Sequence, residues 1–233
     1  MDSVSLKEFA RLIEEVKGQL IYQRWLGLGG QRFFKLAKPG KPAQPPGATL
    51  AAVREELGEC RRCKLHMARK KIVFGVGNES ADIVLVGEGP GRDEDIQGEP
   101  FVGRAGGLLT KILAAIDLKR EQVYITNVVK CRPPGNRDPQ LDEISSCEPF
   151  LDKQLKAISP AFIITLGSFA ARTLLKTEEK ISSLRGKFYD YSGIRLLPTY
   201  HPAFILRNPN MKRPVWEDFQ MVEREYQAFL KGR

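Results

Sequence analysis

The chain has 233 residues, which suits one compact domain with an appendage. Apolar residues make up 42% and charged residues 28%, a balance that excludes a disordered chain. Its apolar runs, such as Ile112–Ile116, fall far short of the roughly 18 residues that span a bilayer. The start, MDSVSLKEFARLIEEV, has neither the basic head nor the apolar block of a signal peptide. A soluble intracellular protein is therefore expected. The formal net charge is +9, and residues 1–50 hold eight Lys/Arg against four Asp/Glu. Such a balance favours polyanionic partners, usually nucleic acid.

In chain order, residues 4–26 read as an amphipathic helix. Leu6, Phe9, Leu12, Ile13, Val16 and Leu20 recur at helical spacing, and Ser5 with Glu8 makes a capping box. Residues 27–49, GLGGQRFFKLAKPGKPAQPPGAT, lose all periodicity and read as a basic, partly extended linker. The chain thus divides into an extension, 1–50, and a domain, 51–233. Within the domain the segments 82–86, 123–129, 161–166 and 194–198 are short β-branched apolar runs, as parallel strands covered on both faces require. Helical patterns lie between them: a stripe from Leu108 to Ile116, a helix opened by Asp138 as cap with Pro139 in its first turn, and a shorter one over Gly167–Leu175. A last one closes the chain over Val215–Leu230. The alternation predicts an α/β fold of three layers, α/β/α. In such sheets ligands sit beyond the carboxyl ends of the strands.

Each of those strand ends carries polar or glycine-rich residues. GEGPGRDEDIQGEPFVGRAGG (87–107) follows the first strand, and Asn127 with KCRPPGNRDP belongs to the second. Gly167-Ser168 ends the third, and Tyr200-His201-Pro202 the fourth. The first loop has neither the Lys-Ser/Thr of a P-loop nor the glycine spacing of a dinucleotide fold. The four cysteines, Cys60, Cys63, Cys131 and Cys147, suit a metal or cluster site better than disulfides in a reducing cytosol. Their spacing alone leaves zinc and an iron–sulfur cluster both open.

Taken together, GEGPGRDEDIQGEPFVGRAGGLL, TNVVKCRPPGNRDP, LGS, TYHPAFILRNP and Cys60-x-x-Cys63 resemble the family 4 uracil-DNA glycosylases, the iron–sulfur type. The resemblance spans about residues 55–230 and implies a four-stranded parallel sheet within the three layers. It also implies hydrolysis of the N-glycosidic bond of deoxyuridine, leaving an abasic site for base excision repair. The partner would be uracil-containing DNA, single- or double-stranded. A monomer acting in the cytoplasm at the nucleoid is expected, with no membrane.

The resemblance also assigns roles. Asn127 would read uracil, because a side-chain amide matches N3–H and O4 whereas cytosine presents the reverse pattern. Phe101 would stack on the base. His201 would donate to uracil O2, where charge grows as the bond breaks. Main-chain groups around Gly89 and Gly91 would bond the base, which accounts for glycine there. The wider superfamily carries an aspartate where Gly89 stands, so Glu88 and Glu94 become the candidates for handling water or the sugar cation. Ser168, Phe204, Leu206 and Arg207 would meet the DNA, and Ala203 replaces a serine common in the superfamily. The cysteines would hold a structural [4Fe–4S] cluster. Two other readings remain: a glycosylase of broader deaminated-base range, and a non-catalytic iron–sulfur module that binds nucleic acid.

Overall fold

The computed structural model describes residues 39–232. The helix expected over 4–26 and residues 27–38 of the linker lie outside the described residues. The end of the linker is pinned to the domain: Lys41 pairs with Asp82 at 3.0 Å, and Gln44 donates to the Ala157 carbonyl.

All four expected strands form. β2 (Ile83–Gly87), β3 (Tyr124–Asn127), β4 (Phe162–Leu166) and β6 (Ile194–Thr199) run parallel in the order β3-β2-β4-β6. Two short antiparallel strands, β1 (Val76–Gly77) on β3 and β5 (Tyr189–Tyr191) on β6, extend the sheet to six. The sequence had not marked them because neither is an apolar run. An edge strand buries little side chain, so main-chain pairing rather than hydrophobic pattern defines it.

β2 is buried on both faces along its whole length. Val84 and Val86 face one core, Ile83 and Leu85 the other, as the two-residue side-chain period dictates. The first core packs α1 (Leu50–Leu57), α4 (Leu141–Ile158) and α5 (Ser168–Leu175) on the sheet. The second packs α3 (Arg104–Ala114), α7 (Pro202–Arg207) and α8 (Lys212–Lys231) on the other side. Two short helices, α2 (Arg92–Gln97) and α6 (Ile181–Leu184), fill connections. The three-layer α/β/α expectation holds. The order of the parallel strands reverses between β2 and β4, so their carboxyl ends open a crevice there.

One helix start differs from expectation. α4 is capped by Gln140, which forms a reciprocal capping box with Glu143, and not by Asp138. The carboxylate of Glu143 also takes both arms of Arg137, at 2.8 and 2.6 Å. A buried acid at the third helical position therefore outcompetes the aspartate upstream.

Gly106, in the first turn of α3, marks the tightest packing near the crevice. A Cβ there would sit 1.7 Å from the Phe101 carbonyl oxygen, a main-chain atom that cannot swing aside. Phe101 itself holds a φ of 54°, in the left-handed region that costs a non-glycine residue roughly 1–2 kcal/mol. Gly106→Ala should therefore lower stability by about 1–3 kcal/mol, as overpacking does. Thermal unfolding measures it; an unchanged midpoint would show that the loop yields freely.

Candidate active site

At the carboxyl edge of the sheet a cavity of about 370 Å³ is lined by Glu88, Gly89, Gly91, Glu94, Phe101, Asn127, His201 and Arg207, among others. Residues from β2's loop, β3, the loop before α4 and α7 meet there, although they are far apart in the chain. Ser168, Phe204 and Leu206 do not line it. Leu206 is 40% exposed beside it on α7, and Phe204 stacks on Tyr200 with centroids 5.1 Å apart. Ser168 begins α5 next to Gly167, whose Cβ position would lie 3.1 Å from that of His201.

Asn127 ends β3 opposite Gly87 and is 2% exposed. Its Oδ1 has no hydrogen-bond partner among the described residues. Leaving a buried acceptor unmet costs ~1–3 kcal/mol, so such an atom invites a donor from a ligand. Gly87 makes room for it: a Cβ there would come within 2.3 Å of Oδ1 and 2.7 Å of the Phe101 ring.

Phe101 and His201 form one wall, with ring centroids 5.4 Å apart and planes tilted by 31°. His201 caps α7, and its Nδ1 accepts from the Ala203 N–H at 3.1 Å. A neutral imidazole that accepts at Nδ1 carries its proton on Nε2, which then serves as a donor. Burial, aided by Arg207, pulls His201 down to about 4, so the ring is neutral at pH 7. The strand end that carries it is fixed from below. Thr199 donates to Asp218 at 2.6 Å, and Arg185 grips the same carboxylate at 2.8 and 3.0 Å.

The two candidate acids differ in their commitments. Glu94 accepts from the Val102 and Gly103 N–H groups at 3.2 and 3.3 Å and so laces the loop together. Glu88 is pushed up to about 7, chiefly by burial and further by the negative charge of Asp138. At Gly89 a Cβ would fall 2.7 Å from Val129 Cγ2. This backbone therefore leaves no ready space for a side chain at that position.

Cys60, Cys63, Cys131 and Cys147 line a second, narrow and largely apolar cavity on the other side of the 127–131 segment. None forms a disulfide. Arg69 donates to Cys131 Sγ and the Lys130 N–H to Cys147 Sγ, both at 3.3 Å. Burial pushes the Cys131 thiol up to about 11 and also raises Cys63 and Cys147. Among the described residues no group of three or more His, Cys, Asp or Glu side chains is gathered for a single metal ion. No described helix is long and apolar enough to cross a membrane.

A family model for the uracil DNA glycosylase superfamily matches residues 74–220. A type-4 uracil-DNA glycosylase of Archaeoglobus fulgidus is 46% identical over 182 residues, covering 75% of this chain and 92% of that protein. One from Saccharolobus solfataricus is 48% identical, covering 75% and 85%. Another from Thermotoga maritima is 44% identical, covering 77% and 93%. The chain belongs to the type-4 uracil-DNA glycosylases. The matched superfamily segment contains every residue of this glycosylase's crevice named above, while Cys60 and Cys63 precede it.

Among the charged residues at the site, sequence reasoning missed Arg137, Asp138 and Lys130. Arg137 and Asp138 line the crevice, and Lys130 lies buried under Asn127. Asp138 had been read as a cap. Lys130 gave no signal, since a lysine after a strand is ordinarily a surface residue.

The state of His201 is open to direct measurement. Its folded value lies below the unfolded 6.5, so its contribution to stability is present above pH 6.5 and is lost as pH falls through about 4. An NMR titration should show no protonation of this ring between pH 8 and 5.5. A midpoint near 6.5 would mean that the imidazole is solvated rather than enclosed.

Proposed function

We propose that the crevice binds uracil flipped out of DNA and that the chain hydrolyses its N-glycosidic bond, as a DNA-repair glycosylase. The observation that carries this reading is the orphaned Asn127 Oδ1 at the cavity floor, flanked by an aromatic face and a neutral imidazole donor. An acceptor and a donor on one amide complement uracil N3–H and O4, and oppose cytosine at both positions. Extrusion costs a few kcal/mol of stacking and pairing. Stacking on Phe101 returns ~1–3 kcal/mol whatever the base.

As the C1′–N1 bond breaks, its electron pair moves onto uracil, and negative charge gathers at O2. The His201 Nε2–H stabilises that charge without giving up its proton, because the ring's basicity is suppressed. The sugar becomes cationic, and a water oxygen bonds to C1′ while losing a proton. Glu88 suits that proton better than Glu94. It is not committed to a loop N–H, and its affinity for protons lies near neutrality. Glu94 serves by holding the loop that carries Phe101. Main-chain groups of Gly89 and Gly91 lie where they can approach the base. Arg207, exposed on α7, and Ser168 meet phosphate, while Phe204 and Leu206 fill the vacated stack. All these groups lie on one chain, which suits a monomer acting on single- or double-stranded DNA, in the cytoplasm at the nucleoid.

The cysteine cavity suits a [4Fe–4S] cluster. Four thiols surround a space, with the Arg69 guanidinium beside Cys131 to offset thiolate charge and a main-chain N–H donating to Cys147. A single tetrahedral zinc would draw its sulfurs to within about 3.8 Å of each other, given a Zn–S bond of about 2.3 Å. A cluster sets each thiolate on a different iron and keeps them farther apart. When bound it supplies cross-links between the segment before the sheet and the loop after Asn127. The hydrolysis itself requires no electron.

An oligonucleotide bearing one uracil, incubated with the chain and treated with alkali, should be cut at that position. Hypoxanthine and thymine compared alongside measure the base range. Asn127→Ala should lose roughly 10²–10³ in kcat. Absence of cleavage in both strand forms would instead support the inert binding module. The sign of the pH dependence follows from Glu88: it must be unprotonated, so kcat/KM falls as pH drops below about 7. Glu88→Gln should remove that limb together with most of the activity. Anaerobic purification should yield a brown protein with about four irons per chain; a colourless chain with stoichiometric zinc would overturn the cluster.

A further inference from the structure

Lys130 heads the largest fully buried side chains of the described protein, at 1% exposure. Lysine is almost never fully buried unless its ammonium is matched by partners. Here Nζ donates to the Asn127 carbonyl at 2.6 Å and to Thr126 Oγ1 at 2.7 Å. The Thr126 hydroxyl passes the chain of bonds on to Phe74 O or Gln154 Oε1. The Lys130 main chain is equally occupied: its N–H meets Cys147 Sγ, and its carbonyl accepts from Val73 N at 2.8 Å.

The ladder explains why a donor is needed at that carbonyl. On the β2 side the pairing runs through the Val128 N–H, which donates to Gly87 O at 2.9 Å. Alternation along a parallel strand then turns the Asn127 carbonyl away from β2. On that far side β1 pairs only with Tyr124 and Ile125. So pairing on that side stops two residues short of Asn127, and Lys130 reaches back three positions to hold it.

We propose that Lys130 is a positioning residue for base recognition, fastening the Asn127 main chain where strand pairing stops so that its amide stays fixed at the crevice floor. This inference rests on the uracil-reading role of Asn127. An amide free to turn by even a fraction of an ångström would offer a poorer match to N3–H and O4 as charge develops. Such a loss falls on the chemical step, because phosphate contacts elsewhere govern DNA affinity. The same residue also makes the wall between the two cavities a single unit, since residues 127 to 131 carry Asn127 at one end and Cys131 at the other.

Lys130→Met keeps the stem and removes the donors; Lys130→Gln keeps a shorter neutral donor and serves if the first variant folds poorly. Steady-state uracil release, inhibition by free uracil, iron content and thermal unfolding are measured on each. The expected result is a loss of roughly tenfold or more in kcat, with KM for the oligonucleotide little changed. Inhibition by free uracil should weaken in parallel, at unchanged iron content per folded chain. An active wild type with kcat and uracil inhibition unaltered in both variants overturns the inference alone. So does a loss of activity that merely tracks lost iron or unfolded protein, since that marks a structural role. A wild type that releases no uracil overturns the parent reading and this inference with it.

Discussion

The parallel pairing of β2 and β3 is the constraint on which the site depends. It brings Gly87 opposite Asn127, and the missing side chain of the one makes room for the amide of the other. Because β2 is apolar on both faces, the pair sits at the centre of two cores. A rigid sheet edge is therefore available to hold a polar atom without a partner. In a surface loop the same amide would satisfy itself with water or main chain.

Around that fixed point the surroundings divide the electrostatic work. His201 is kept neutral by burial, yet its tautomer is set by a main-chain N–H, so it can donate but not titrate near pH 7. Glu88 is pushed the opposite way, towards holding a proton, by the same lack of water and by Asp138. Burial thus disfavours the charged form of both groups. Glu94, with its oxygen tied to two N–H groups, supplies geometry instead.

The two cavities share one wall. Val129, Lys130 and Cys131 face the cysteines, while Asn127 and Pro133 face the crevice, so rigidity on one side is felt on the other. A cross-link among four cysteines that come from three separate segments would hold this wall as a second core does. Asp95 adds to the arrangement. Its buried carboxylate accepts from the Lys70 N–H at 2.8 Å and so joins the segment after Cys63 to α2 of the active-site loop.

Local pattern was enough to determine four strands, most of the helices and the three layers, because continuous β-branched runs and helical stripes are properties of neighbours in the chain. Glu88, Phe101, Asn127 and His201, which line the crevice, were picked out by their match to the family's motifs, each at a strand end or in the loop after it. Tertiary structure alone decided the rest. Whether Glu88 or Glu94 is committed depends on which N–H groups the folded loop presents. Whether Asp138 caps a helix depends on Glu143, which competes for that start by way of Arg137. The short edge strands and the buried Lys130 were invisible for one physical reason. Their partners are main-chain atoms distant in sequence, and such bonds leave no mark on the periodicity of side chains.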